Sequence, residues 1–242
     1  NIPAVDSLSV TLESYWTETT VAPSNDLDAD SLVINGEQKD AGSTYERVAD
    51  FMEIVRERAG KQIFCHIESE SNVPVGIGLA SSASGFAALT RAAVEAFGLE
   101  LSKTEMSEIA RIGSGSAARS IFGGFVFLSS AETSEESVAR QVAEPDDWPL
   151  ECLTVILDSS EKEVSSTDGM IRTARTSPFY EEWLEFARQN AADIESAVRQ
   201  KAFRQLARLA EKSMSAMHGC SLAAQPPLMY WKGSSLPILK EV

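Results

Sequence analysis

Two runs of glycine and small hydroxyl residues are the parts of this chain best suited to chemistry. The first, Asn72-Val-Pro-Val-Gly-Ile-Gly-Leu-Ala-Ser-Ser-Ala-Ser-Gly85, runs into Phe86, Leu89, Ala93 and Phe97, which are spaced for one buried helical face. Small residues let the backbone approach a ligand, and amides at a helix start meet an anion with the positive end of the macrodipole. Ser81, Ser82 and Ser84 add hydroxyls able to hold phosphate oxygens or a metal ion. No Gly-Lys-Ser/Thr closes the run, so it is not a Walker A loop. The second run, Gly113-Ser-Gly-Ser-Ala-Ala-Arg-Ser-Ile-Phe-Gly-Gly124, adds Arg119, a planar fork for phosphate or carboxylate. Each run alone has a plainer reading: an ordinary turn and cap for the first, a surface arginine on a helix for Arg119. Two such helix starts in one small domain favour a shared anion site, with Ser114, Ser116 and Arg119 beside the ligand of the first run.

The elements that must position these runs follow from periodicity. Residues 7–12 alternate as a strand, with residues 17–22 expected as its antiparallel partner. An acidic loop over 24–31 leads to a strand at Leu32-Val-Ile-Asn-Gly36, ending in a turn. Residues 45–59 read as a helix with Val48, Phe51, Met52 and Val55 on one face, ended by Gly60. A short strand over 63–67 feeds the first glycine-serine run. Gly98 stops the helix after that run, and Ser102 with Glu105 forms a capping box for the next. The second run leads to a strand at Phe125-Val-Phe-Leu128, and a polar, acidic connection over 131–148 marks the expected domain boundary. Cys152-Leu-Thr-Val-Ile-Leu157 reads as a buried strand, followed by amphipathic helices over 178–198 and 202–217. Strands mixed with helices and antiparallel pairs favour α+β over a doubly wound parallel sheet.

The bulk numbers bound the function. The 242 residues are enough for one large or two smaller domains with a real core. A formal charge of −15 argues against duplex DNA or an anionic membrane as partner, though not against a phosphorylated substrate at a locally positive site. Cys65, Cys152 and Cys220 are odd in number and lack metal-ligand spacing, which points to a reducing cytoplasm. No signal peptide and no apolar run of bilayer length is visible. The chain opens on Asn1-Ile-Pro3 without a Met and closes on Leu236-Pro-Ile-Leu-Lys-Glu-Val242 without a terminating signal, so an internal fragment is expected.

Pro74-x-Gly-x-Gly-Leu-Ala-Ser-Ser-Ala resembles the phosphate loop of the GHMP kinase superfamily. The longer stretch Gly78-Leu-Ala-Ser-Ser-Ala-Ser-Gly-Phe-Ala-Ala-Leu89, with Ala110-Arg111 and Gly113-Ser-Gly-Ser-Ala-Ala-Arg-Ser120, is similar to the diphosphomevalonate decarboxylases. Pro3 through Leu12, Val164-Ser-Ser-Thr-Asp-Gly-Met170 with Thr176-Ser177, and Met217-His218 followed by Pro226-Pro-Leu-Met-Tyr230 agree in order. The resemblance thus covers nearly the whole chain. It implies an α+β, GHMP kinase-like two-domain fold: a ribosomal protein S5 domain 2-like N-terminal ATP-binding domain over 1–148 and a partial C-terminal GHMP domain over 149–242.

The resemblance also implies an activity. Family members use ATP and Mg2+ to phosphorylate the tertiary 3-hydroxyl of a phosphorylated mevalonate. Phosphate then leaves, the carboxylate departs as carbon dioxide, and an isopentenyl product forms for isoprenoid synthesis. Carried over by motif, Gly78, Leu79, Ala80, Ser81, Ser82, Ala83 and Ser84 would cradle the ATP phosphates, with Ser82 near the metal or the β/γ-phosphates. Ser114, Gly115, Ser116, Ala117, Ala118 and Arg119 would hold substrate, Arg119 on its carboxylate or phosphate. Thr167 and Arg47 are further substrate contacts by the same resemblance. Mevalonate-type kinases place a catalytic Asp within the second motif, whereas no carboxylate occurs between Ser114 and Gly124 here. The decarboxylases carry theirs in a later Asp-Ala-Gly-Pro segment, expected beyond Val242, so the catalytic residue is unassigned and this chain alone is not expected to be fully active. Their substrate-binding Lys-Tyr-Trp-Gly-Lys stretch is expected before Asn1. Rival readings are a phosphomevalonate decarboxylase, a mevalonate 3-kinase and a non-catalytic nucleotide-binding module. Homodimers are common in the resembled family.

Other residues invite less. Asp158 is read as a solvated strand end, and His66 as structural. His218 suits a place near the site, core packing or helix C-terminal stabilisation equally. Trp16, Trp148, Trp183 and Trp231 are dispersed, which favours packing over a nucleobase platform.

Overall fold

The computed structural model describes residues 2–74, 81–134, 136–157 and 163–241. Its first part is built on two sheets. One has four strands in the order β2 (Thr17–Ser24), β5 (Phe64–Ser71), β3 (Ser31–Ile34) and β4 (Glu37–Gln38); the other has β1 (Ser7–Val10), β6 (Phe125–Leu128) and β7 (Ala139–Ala143). β3 turns into β4 at Asn35 and Gly36, both at positive φ, as a two-residue hairpin requires. β3 and β5 run parallel, and α1 (Ser43–Ala59) makes the crossover between them. Gly60 ends α1 in the left-handed conformation.

The core lies between the four-stranded sheet and three helices: α1, α2 (Ser81–Phe97) and α3 (Lys103–Gly113). Val48, Phe51, Met52 and Val55 form the buried face of α1, as their spacing predicts. Phe86, Leu89, Ala93 and Phe97 do the same for α2. Each such side chain contributes about 1.5–3 kcal/mol on full burial, alanines less, and the Phe51 and Phe86 rings add an edge contact at 5.5 Å. The Ser102–Glu105 capping box opens α3. Inside the core, Arg56 Nη1 reaches both carboxylate oxygens of Asp30, at 3.1 and 2.9 Å, and the Cys65 amide donates to Asp30 at 2.8 Å. Burial, with Asp30 beside it, pushes the Cys65 thiol up to about 11, so it stays protonated and unreactive.

Four expectations are corrected. β1 does not pair with β2: it pairs antiparallel with β6, and β2 with β5. β6 is buried at every position and takes a partner on each edge, and that long-range demand outweighs the proximity of β1 and β2 in sequence. β5 is longer than expected, reaching Ser71 at the door of the glycine-rich run. The connection over 131–148 contains β7 and a 3-10 turn, Pro145–Asp147, and Trp148 stacks on Phe125. Finally, residues 152–157 form no strand. Leu153 is 90% exposed and Val155, Ile156 and Leu157 are exposed too, because no described strand runs beside them to satisfy their backbone.

The remainder is helical: α4 (Ala117–Ser120) between α3 and β6, then α5 (Ser166–Thr176), α6 (Tyr180–Arg199), α7 (Phe203–Leu222) and α8 (Ser235–Glu241). α6 and α7 pack as a hairpin, and α6 also lies against β7 and β1. There Arg140 of β7 forms a two-pronged pair with Glu195 of α6, at 2.8 and 2.6 Å, and Arg199 joins the same carboxylate at 2.7 Å. Among the described residues no helix is long and apolar enough to cross a membrane.

Candidate active site

The fold brings the two glycine-serine runs together. α2 starts at Ser81, inside the first run, and the second run begins where α3 ends and turns into α4. Packing of α2 on α3 and α4 leaves Ser82 Oγ 3.3 Å from Ser114 Oγ. That approach depends on Gly113: a Cβ there would run into the Phe86 ring. Arg47 of α1 reaches the same corner. Its guanidinium lies 5.0 Å from the Phe86 ring centre and donates to the Gly113 carbonyl at 2.9 Å, holding the orphan end of α3.

Arg119 follows in α4. Its side chain is part-buried and donates from Nε to Ser9 Oγ at 3.1 Å and from Nη1 to Ser7 Oγ at 2.7 Å. Both acceptors are neutral, and no carboxylate pairs with Arg119 among the described residues. Burial pushes its pKa below the usual arginine value, and among the described residues no carboxylate offsets its charge. Ser7 and Ser9 escaped the sequence reading. The signal was available, since both hydroxyls alternate with Leu8 and Val10 and so share one face of β1.

Not every nominated side chain points into this corner. Ala83, Ala117 and Ala118 are buried in the core, which leaves only their backbone for a ligand. Ser84 donates its hydroxyl to Thr17 Oγ1 at 2.7 Å, toward the sheet. Ser116 and Gly115 lie in the turn into α4, closed by the Ala117 amide on the Ser114 carbonyl at 2.8 Å. That second helix start is a single turn, because Gly123 and Gly124 follow so soon. Thr167 lies exposed in the first turn of α5, a helix that packs on α7. Gly78, Leu79 and Ala80 fall outside the described residues, as does Asp158. His66 is exposed on β5, and His218 packs its ring 4.5 Å from that of Trp231, with burial pushing its pKa down.

Two family descriptions match this chain: the diphosphomevalonate decarboxylase-like N-terminal domain over residues 1–139 and the mevalonate 5-diphosphate decarboxylase C-terminal domain over 152–242. The chain belongs to the diphosphomevalonate decarboxylase family. It is 35% identical to diphosphomevalonate decarboxylase of Saccharomyces cerevisiae across 99% of this chain and 64% of that protein. Against the enzyme of Candida albicans the identity is again 35%, across 100% of this chain and 71% of the relative. The chain thus spans about two thirds of the length of these curated relatives. The mevalonate diphosphate decarboxylase structure from Staphylococcus aureus superposes with a TM-score of 0.89 at 37% identity, over 99% of this chain and 72% of that one. A structure described as MDDEF in complex with MVAPP, AMPPCP and magnesium gives 0.88 at 37% identity, over 99% and 73%. The α+β fold and its GHMP kinase-like character follow from these matches.

Ser82 and Ser114 meet where α2 packs on the end of α3, and Arg119 follows five positions on in α4. Ser82 is exposed at the start of α2 and Ser114 is buried, so their hydroxyls form a step from solvent into the site. No group of three or more His, Cys, Asp or Glu is placed to hold a metal among the described residues. The oxygen ligands for a magnesium ion would come from Ser82 and from phosphates, which fits that ion's habit of binding few protein groups.

Proposed function

We propose that this chain is part of an ATP-dependent decarboxylase that converts mevalonate diphosphate to isopentenyl diphosphate in the mevalonate pathway. The observation that carries the proposal is the meeting of Ser82 with Ser114, followed five positions on by Arg119, which the Ser7 and Ser9 hydroxyls hold and no carboxylate among the described residues pairs. One run faces the nucleotide and the other faces the substrate. Residues 81–84, together with the glycines before them, take the ATP phosphates, with Ser82 toward the magnesium ion. Ser114, Ser116 and Arg119 take the phosphorylated mevalonate, Arg119 on its carboxylate or phosphate. Arg47 supports the substrate side through the Gly113 carbonyl.

The reaction needs positioning more than acid–base power. A tertiary alcohol is a poor leaving group, and transfer of the γ-phosphoryl to the 3-hydroxyl, with ADP released, makes it a good one. Inorganic phosphate then leaves with the C–O electron pair. The pair from the carboxylate bond forms the new double bond, and carbon dioxide departs. Magnesium, when bound, offsets the charge of the triphosphate. Arg119 holds the substrate's anionic end in a setting where burial strengthens its pull.

The same reading places the protein in the cytoplasm, in keeping with free thiols at Cys65, Cys152 and Cys220. It divides the chain into a nucleotide-binding domain over 1–148 and a second domain over 149–242, and it includes a homodimer and no nucleic-acid or membrane partner, the latter supported by the net charge of −15. The test measures carbon dioxide release beside ADP formation, with mevalonate mono- and diphosphate as substrates. Equal release of both products from the diphosphate is expected. ADP without carbon dioxide would make the protein a 3-kinase, preference for the monophosphate a phosphomevalonate decarboxylase, and ATP binding without turnover by the whole protein a binding module.

A further inference from the structure

The two flanks of the glycine-rich run are tied together by a chain of hydroxyls, two of which, Thr17 and Ser71, the proposed chemistry does not use. On one side of the run Ser71 ends β5, and on the other Ser84 sits in the first turn of α2. Thr17, the first residue of β2, stands between them. Ser84 donates to Thr17 Oγ1 at 2.7 Å, and Thr17 Oγ1 lies 2.8 Å from Ser71 Oγ. Ser71 in turn donates to the Trp16 carbonyl at 3.1 Å and accepts from the Val73 amide at 3.2 Å.

The direction of this chain is fixed by its ends. A carbonyl only accepts, so Ser71 spends its one proton on Trp16, and Thr17 must donate to Ser71. Thr17 is then left to accept from Ser84. Thr17 and Ser71 each give once and receive at least once, so removing Thr17 leaves Ser84 without its acceptor and takes one of two donors from Ser71. Asn72 reinforces the same seam: its side chain accepts from the Trp16 amide at 2.7 Å and donates to the Ser14 carbonyl at 2.9 Å. Val or Ala at position 17 would fill much of the same space and carry none of this.

We infer that Thr17 and Ser71 are positioning residues that clamp the two ends of the glycine-rich run and thereby set the affinity for the nucleotide. They touch no reacting atom. Their effect passes through Ser84 and the first turn of α2, the end of a helix that favours an anion. The inference rests on the reading that this run holds ATP phosphates, and the experiment separates the two.

Thr17→Val, Thr17→Ser and Ser71→Ala are compared with the parent protein in two measurements. The first is the dissociation constant of a magnesium–ATP analogue complex, with that of mevalonate diphosphate measured beside it. The second is hydrogen exchange at amides 85–88, the first to hydrogen-bond within α2, with no ligand present. Thr17→Val and Ser71→Ala are expected to weaken nucleotide binding about tenfold and to speed exchange at those amides by a similar factor. Mevalonate diphosphate affinity should stay within about twofold, since a merely unstable protein would lose both ligands. Thr17→Ser should restore the parent values. Unchanged exchange in Thr17→Val and Ser71→Ala overturns the clamp whether or not nucleotide binds, and so does a Thr17→Ser protein as weak as Thr17→Val. Altered exchange with unchanged nucleotide affinity overturns the link to binding. A parent protein that binds no nucleotide removes the ATP reading and with it the affinity claim, while exchange still decides whether the hydroxyl chain holds the helix. Should Thr17→Val fail to fold, Ser71→Ala, which keeps the Ser84–Thr17 bond, decides alone.

Discussion

Ser82 and Ser114 place their hydroxyl oxygens 3.3 Å apart across 32 positions of sequence. The contact joins the start of α2 to the end of α3, and so joins the proposed nucleotide side of the site to its substrate side. Ser82→Ala is expected to weaken magnesium-nucleotide binding about tenfold, and Ser114→Ala to weaken substrate binding by a similar factor. The double variant carries the sharper test. Because one hydrogen bond serves both hydroxyls, the two losses should fall short of adding, with a coupling of about 0.5–3 kcal/mol in calorimetric titrations. Strictly additive losses would mean that each serine acts alone.

Arg119 is held by Ser7 and Ser9, and no carboxylate among the described residues pairs with it. Arg119→Lys keeps the charge but loses the fork, so it is expected to behave as a severe change. KM for the phosphorylated mevalonate should rise about ten- to hundredfold, with nucleotide affinity little altered. Ser7→Ala should shift the same constant in the same direction by a smaller factor. An anion bound at Arg119 also stabilises the folded state by mass action, so Tm should rise with added mevalonate diphosphate and stop rising in Arg119→Met. Equal responses in the two proteins would place the anion elsewhere.

Gly113 sits where α3 meets the Phe86 ring, and a Cβ has no room. Gly113→Ala is expected to cost about 1–3 kcal/mol in urea unfolding, the usual range for overpacking a filled site. It should also displace Ser114, one residue on, and raise the substrate KM. Combining it with Phe86→Leu should recover part of the affinity, because the ring is the obstacle. No recovery would show that the glycine serves backbone geometry instead.

How far the sequence discloses this site depends on the range of the interaction. The helical faces of α1 and α2 follow from local spacing, and so does the Ser102–Glu105 box, because each is fixed within a few residues. The pairing of β1 with β6 is not local: residues near 8 meet residues near 127, and no turn signal records it. Ser7 and Ser9 enter the site only through that pairing, which is why their role stayed hidden. Ser84 adds another long-range partner. Its position in the motif points to a phosphate contact, and its hydroxyl is also engaged by Thr17, 67 residues away. The apolar run at 152–157 satisfied every local rule for a strand and still forms none, since a strand also needs a neighbour.

Glu195 makes the last prediction, through pH. The hydrogen bond from Arg140 holds its carboxyl below the usual carboxylate range, burial opposes that, and Arg199 adds to it. A carboxyl with a depressed folded value binds fewer protons folded than unfolded. Its contribution is therefore complete above the ordinary value of about 4.3 and disappears as pH falls through the lower folded value. Arg140 is shifted upward by the same bond, and its share changes only at strongly alkaline pH. Both arginines are largely exposed, so the network is expected to contribute only about 1 kcal/mol. Glu195→Gln should accordingly unfold at lower urea than the parent by a constant margin between pH 5 and 7, at low salt. The margin should close toward pH 3, where the parent's carboxylate is itself protonated, and shrink in strong salt at pH 7. A margin that persists at pH 3 would mean that Glu195 holds α6 on β7 by packing rather than by charge.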